Sequence, residues 1–180
     1  MFIDYLTLML VNMAAGFVLL ACFLIWELGT PENKGWAPVF GITGLVASIS
    51  GFAMSFTWPL PKPYNPAFGE MSVLFGVLFL GAAWSLSKGW DLTPLGIYAL
   101  LAGIAAVIVG VRIIHLGLTA SPIMSGVGFI LSGLAGVMAW VILRMRKVMV
   151  LRIFAAFLLL VTAGIWAMTG YGAYWQHLKV

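Results

Sequence analysis

Arg112 and His115 stand three residues apart in a stretch, 95–118, that is otherwise almost wholly apolar. An arginine at the centre of a membrane helix costs about 2.5–3.5 kcal/mol on insertion scales, so it persists where something satisfies it. At this spacing both side chains leave a helix on the same side. The chemistry on offer is an anion or carboxylate clamp from Arg112 and proton exchange near neutral pH from His115. Glu70, Asp4 and Asn12 are the complementary groups. Arg112 paired with Glu70 or Asp4 is either a fastener between helices or part of a ligand pocket, in which Asn12 adds hydrogen bonds.

Metal chemistry has thinner support. His115 and His177, with Asp4 and Glu70, are the residues that could converge on a divalent ion, but no H-x-x-x-H or E-x-x-H spacing occurs. A bis-histidine haem would consume both histidines of the chain, and His177 reads more simply as a solvated tail residue. No bound cofactor is the plainer expectation. No G-x-S-x-G, P-loop or Rossmann glycine run is present, which leans the reading away from an enzyme.

These groups must be placed by membrane helices. The chain has 180 residues, of which 63% are hydrophobic and 8% charged. Its mean hydropathy is +1.13, and apolar runs of near-spanning length recur throughout. That pattern is an all-α polytopic membrane protein. Six spans are expected, at about 3–28, 38–58, 69–86, 94–116, 122–143 and 148–170, in a single transmembrane domain. The lone Cys22 excludes an internal disulfide and reads as an inert residue of the first span.

Charge sets the expected orientation. Lys34, Lys88, Arg144, Arg146, Lys147 and Arg152 fall on one side, against Lys62 and Lys179 on the other. The richer side is expected in the cytoplasm of a prokaryotic plasma membrane, with both termini outside. Arg112, His115, Glu70, Asp4 and Asn12 then gather in the outer half of the bundle. The net charge of +4 lies mostly in one interhelical loop and gives no reason to expect nucleic acid.

Spans 2–3 and 4–5 read as a parallel duplication of a two-helix hairpin, with repeats at 34–86 and 88–142. Lys34-Gly35-Trp36 recurs as Lys88-Gly89-Trp90, followed by Pro38 and Pro94. Gly44 and Gly51 match Gly103 and Gly110, and Pro66 and Trp84 match Pro122 and Trp140, so that Gly126 stands opposite Glu70. Glycines at a seven-residue period let helix backbones approach in lipid. Arg112 and His115 project away from that glycine seam. Pro59, Pro61, Pro63 and Pro66 stiffen the segment after Trp58, either as a cap over the outer mouth or as a rigid link. Trp166, Thr162 and Thr169 share a face of span six that reads as a packing seam.

Three segments carry a family resemblance. They are Met1-Phe2-Ile3-Asp4-Tyr5-Leu6, the run from Trp58-Pro59-Leu60-Pro61 to Gly69-Glu70-Met71-Ser72, and Gly110-Val111-Arg112-Ile113-Ile114. They resemble a family of small prokaryotic polytopic membrane proteins, a domain of unknown function. The resemblance implies a multi-span membrane protein and no particular activity.

The expected function is binding or transport of a small ion, proton or anion through a polar pocket in the outer half. One alternative is an accessory subunit of a larger membrane complex, of respiratory or other redox type. The other is a metal- or haem-binding redox protein using His115. Partners to consider are the lipid bilayer, further membrane subunits and copies of the chain itself.

Overall fold

The computed structural model describes residues 5–30, 33–61 and 63–178. Asp4, Lys62 and Lys179 lie outside the described residues. Six helices follow in order: α1 Tyr5–Trp26, α2 Ala37–Thr57, α3 Met71–Lys88, α4 Thr93–Leu116, α5 Pro122–Arg144 and α6 Met149–His177. A 3-10 turn, Asn33–Trp36, leads into α2, and a π-helical turn, Asn65–Glu70, leads into α3. All six are long and apolar enough to cross a membrane, and the protein is an all-α multi-pass membrane protein.

Two helix boundaries differ from expectation for local reasons. The third span starts at Asn65 rather than at Gly69. Pro66 is tolerated in its first turn, where no backbone donor is needed. The sixth runs on past Gly170 to His177. Gly170 packs there instead of ending the helix: an added Cβ would sit 3.0 Å from the Val11 side chain on α1.

Packing is closest within the pairs α4–α5, α1–α6 and α2–α3. Glycine makes the approach in two of them, and by matching contacts. A Cβ on Gly44 would lie 2.8 Å from the Gly76 carbonyl oxygen, and one on Gly103 would lie 2.5 Å from that of Gly133. One turn pair outward, Gly51 meets the Gly69 carbonyl at 2.9 Å, and Gly110 meets that of Gly126 at 2.6 Å. Gly69 and Gly126 thus make like contacts in their two helix pairs, and they are followed in sequence by Glu70 and Val127.

One end of the bundle carries Lys34, Lys88, Arg144, Arg146, Lys147 and Arg152. Here α1, α3 and α5 end, and their unpaired carbonyls attract cations. Arg152 donates from Nε to the Leu24 carbonyl and from Nη2 to the Ile25 carbonyl at 2.9 Å, both in the last turn of α1. The opposite end carries the prolines. There Asn65, 1% exposed, holds Leu60 from both sides, accepting its N–H at 3.2 Å and donating to its carbonyl at 2.6 Å.

Candidate functional site

Among the described residues, all six helices line a cavity of about 190 Å³ between them. That suits a small solute of a few heavy atoms and falls short of a drug-sized pocket. Each helix contributes: α1 through Met13 and Phe17, α2 through Phe40, α3 through Phe75 and Phe79, α4 through Ala99, Ala102 and Ala106, α5 through Phe129, Ser132 and Ala139, α6 through Ala155 and Leu159. Small residues on α4 and α5 leave the space, and aromatic rings bound it. Phe40, Phe79, Phe75 and Phe17 form a continuous row, with centroid separations of 5.3, 4.5 and 5.4 Å.

Phe129 stands at the proline-end limit of the cavity. Its ring meets Phe68 edge-on at 5.3 Å and Trp166 at 5.1 Å. Trp166 is fully buried and packs over Gly128, where a Cβ would come within 2.9 Å of its ring. Its Nε1 donates to Ser132 Oγ at 3.0 Å, and Ser132 in turn donates to the Gly128 carbonyl at 2.7 Å. Above this layer, Tyr64 Oη accepts the Thr119 N–H at 3.3 Å, tying the proline loop to the α4–α5 loop. Thr119 holds a left-handed backbone, φ +76°, and donates to Ser125 Oγ at 3.1 Å.

The residues singled out from sequence lie elsewhere. Arg112 and His115 are exposed at the outer flank of α4, continuing its exposed stripe of Ile97, Leu101, Ile104 and Ile108. They project away from the glycine seam as expected, but out of the bundle rather than into it. Ile113, between them, is the residue that packs inward at 1% exposure. Glu70 is exposed as well, and the salt bridge found among the described residues is Arg146–Asp91 at 3.7 Å. Asn12 is half-buried and donates to the Thr43 carbonyl at 2.9 Å, joining α1 to α2. None of these lines the cavity. Asp4, the fifth, is outside the described residues.

His115 and His177 sit in the last turns of α4 and α6. Among the described residues, no three His, Cys, Asp or Glu side chains are grouped as metal ligands. Thr162 and Thr169 bond the carbonyls one turn back, Leu158 and Ile165, each at 2.8 Å.

What sequence reading missed is the cavity wall itself. The signal was a second small-residue stripe on span four, Ala99, Ala102 and Ala106, offset from the glycines and facing Ala135 and Ala139 of span five.

A cryo-EM structure of the Helicobacter pylori urea channel in its closed state matches with a TM-score of 0.75 and 17% identity. The match covers 96% of this chain and 98% of that one, and at this identity the likeness is one of fold. No curated protein matches the chain in sequence. The family model described as "Protein of unknown function (DUF981)" matches residues 1–180, and the chain belongs to that family.

Proposed function

We propose that the chain conducts a small uncharged solute across the membrane through the axial cavity. The observation that carries this reading is a cavity walled by all six helices, with no ionisable side chain among its described lining residues. An ion stripped of water there would find no counter-charge and no fixed donors, a cost of several kcal/mol or more. A neutral solute loses far less. The aromatic layer at Phe129 closes the cavity by filling it, in the way hydrophobic constrictions gate other pores. The fold shared with a urea channel supports a conduit for a solute of this size. This reading moves the path from an outer pocket at Arg112 to the axis, and the cargo from an ion to a neutral molecule.

The basic end is read as cytoplasmic, from the clustering of Arg144, Arg146, Lys147 and Arg152. A cysteine placed at Gly29 in a Cys22→Ala background should then react with membrane-impermeant maleimide only after lysis. The matching contacts of Gly44–Gly76 and Gly103–Gly133 support a duplicated hairpin as the scaffold.

Stopped-flow light scattering on proteoliposomes tests the function. Urea and glycerol should enter faster than into protein-free vesicles, while potassium and proton fluxes stay at background. Ion flux without neutral-solute flux would overturn the reading.

A further inference from the structure

The cavity wall accepts hydrogen bonds and donates none. Among its lining side chains, only Ser132 carries a hydroxyl or N–H. The rest are alkyl groups, aromatic faces and the thioethers of Met13, Met71 and Met138, and sulfur is itself a weak acceptor. Backbone N–H groups in the surrounding helices are already spent on intrahelical bonds.

Ser132 fits this pattern by necessity. An indole N–H only donates, so Trp166 Nε1 obliges Ser132 Oγ to accept at 3.0 Å. The one hydroxyl hydrogen of Ser132 then goes to the Gly128 carbonyl, 2.7 Å away. A hydroxyl has two lone pairs, and one remains free. Ser132 is half-buried, turned to the cavity, and so presents an acceptor and no donor. Trp166 acts as a positioning residue: its own donor is consumed, and it fixes the sense in which Ser132 is read.

Resting on the conduit reading above, we infer that Ser132, oriented by Trp166, makes the cavity selective for small neutral solutes rich in N–H donors, such as amides. Solutes of similar size that only accept hydrogen bonds meet a wall with nothing to offer them. Aromatic faces reinforce the bias, since their negative quadrupole favours approaching N–H groups.

The test compares urea with dimethyl sulfoxide, a solute with the same number of heavy atoms that only accepts, in proteoliposomes, with protein-free vesicles and water permeability as references. Wild-type protein should speed urea entry above that of protein-free vesicles and leave dimethyl sulfoxide entry near theirs. Trp166→Phe removes the indole donor and lets the Ser132 hydroxyl turn its hydrogen into the cavity, so the urea preference should fall. The Ser132→Ala, Trp166→Phe pair leaves no orphaned donor, and its preference should fall about threefold to tenfold, the worth of one hydrogen bond. A general packing defect would slow both solutes alike and leave their ratio unchanged. Equal passage of the two solutes through wild-type protein overturns this inference, as does an unchanged ratio in the double variant. Absence of facilitated flux for every solute overturns the conduit reading itself, and this inference with it.

Discussion

Arg152, in the first turn of α6, binds the carbonyl oxygens of Leu24 and Ile25 in the last turn of α1, closing the basic end of that helix pair. These carbonyls have no partner within α1, and a guanidinium fork meets two at once. Leu24 also lines the cavity, so the clasp holds a wall of the site in place. Arg152→Met should cost on the order of 2 kcal/mol in detergent-solubilised protein, since bonds to charged groups contribute most. Arg152→Lys should recover part of it. Thermal unfolding followed by tryptophan fluorescence would read both.

The glycine seams give a sharper contrast. At Gly103 an added methyl meets backbone on α5, 2.5 Å from the Gly133 carbonyl and 2.7 Å from the Val137 nitrogen. Backbone cannot rotate aside, so α4 and α5 must separate. Gly103→Ala should therefore destabilise by about 3 kcal/mol, the upper range for overpacking. Gly164, with nothing within 4 Å of its Cβ position, is the matched control. Gly164→Ala should leave the unfolding midpoint unchanged or raise it slightly, since alanine is the better helix former; a loss comparable to that at Gly103 would mean that backbone contact is not the source of the cost.

The same seams show what was legible in the sequence. Gly44, Gly51, Gly103 and Gly110 announce their role by period, because close approach admits only small residues. The rotation of α4 was legible only in part. Arg112 was read correctly as facing away from Gly110, but a helix with one close neighbour leaves two other directions, the axis and the lipid. Charge alone favours the axis; the inward packing of Ile113 turns Arg112 out of the bundle. The cavity was harder still. Its alanines, leucines and phenylalanines are the residues of any membrane-protein interior, and only their mutual placement turns packing into space. Ser132 reads as an ordinary hydroxyl bonding back along its helix until Trp166 is seen to reach it across helices.

Thr119 lies at the proline end, in the α4–α5 loop, against Tyr64 and Ser125. A β-branched residue at φ +76° is strained by roughly 1–2 kcal/mol, and the contacts to Tyr64 and Ser125 hold it there. Tyr64→Phe removes the acceptor for the Thr119 N–H while keeping the ring. If this tie keeps the aromatic layer shut, the variant should raise urea flux severalfold, with a stability change near 1 kcal/mol. Flux equal to wild type in stopped-flow measurements would leave Tyr64 as a structural strap only.

Arg112 and His115 provide the test that separates the axial path from an outer pocket. Arg112 lies four residues before the end of α4 at Leu116, about 6 Å along the helix axis. From an exposed position at that depth its long side chain reaches the headgroup layer, which removes most of the cost of a charge in hydrocarbon. Neither residue touches the cavity. Arg112→Ala and His115→Ala should therefore leave urea permeability within about twofold of wild type, below the effect of losing one hydrogen bond to a charged group. If Arg112→Ala instead abolished flux while the protein stayed folded, conduction would have to pass along the outer flank of α4, and the axial cavity would be a packing defect between hairpins rather than the route.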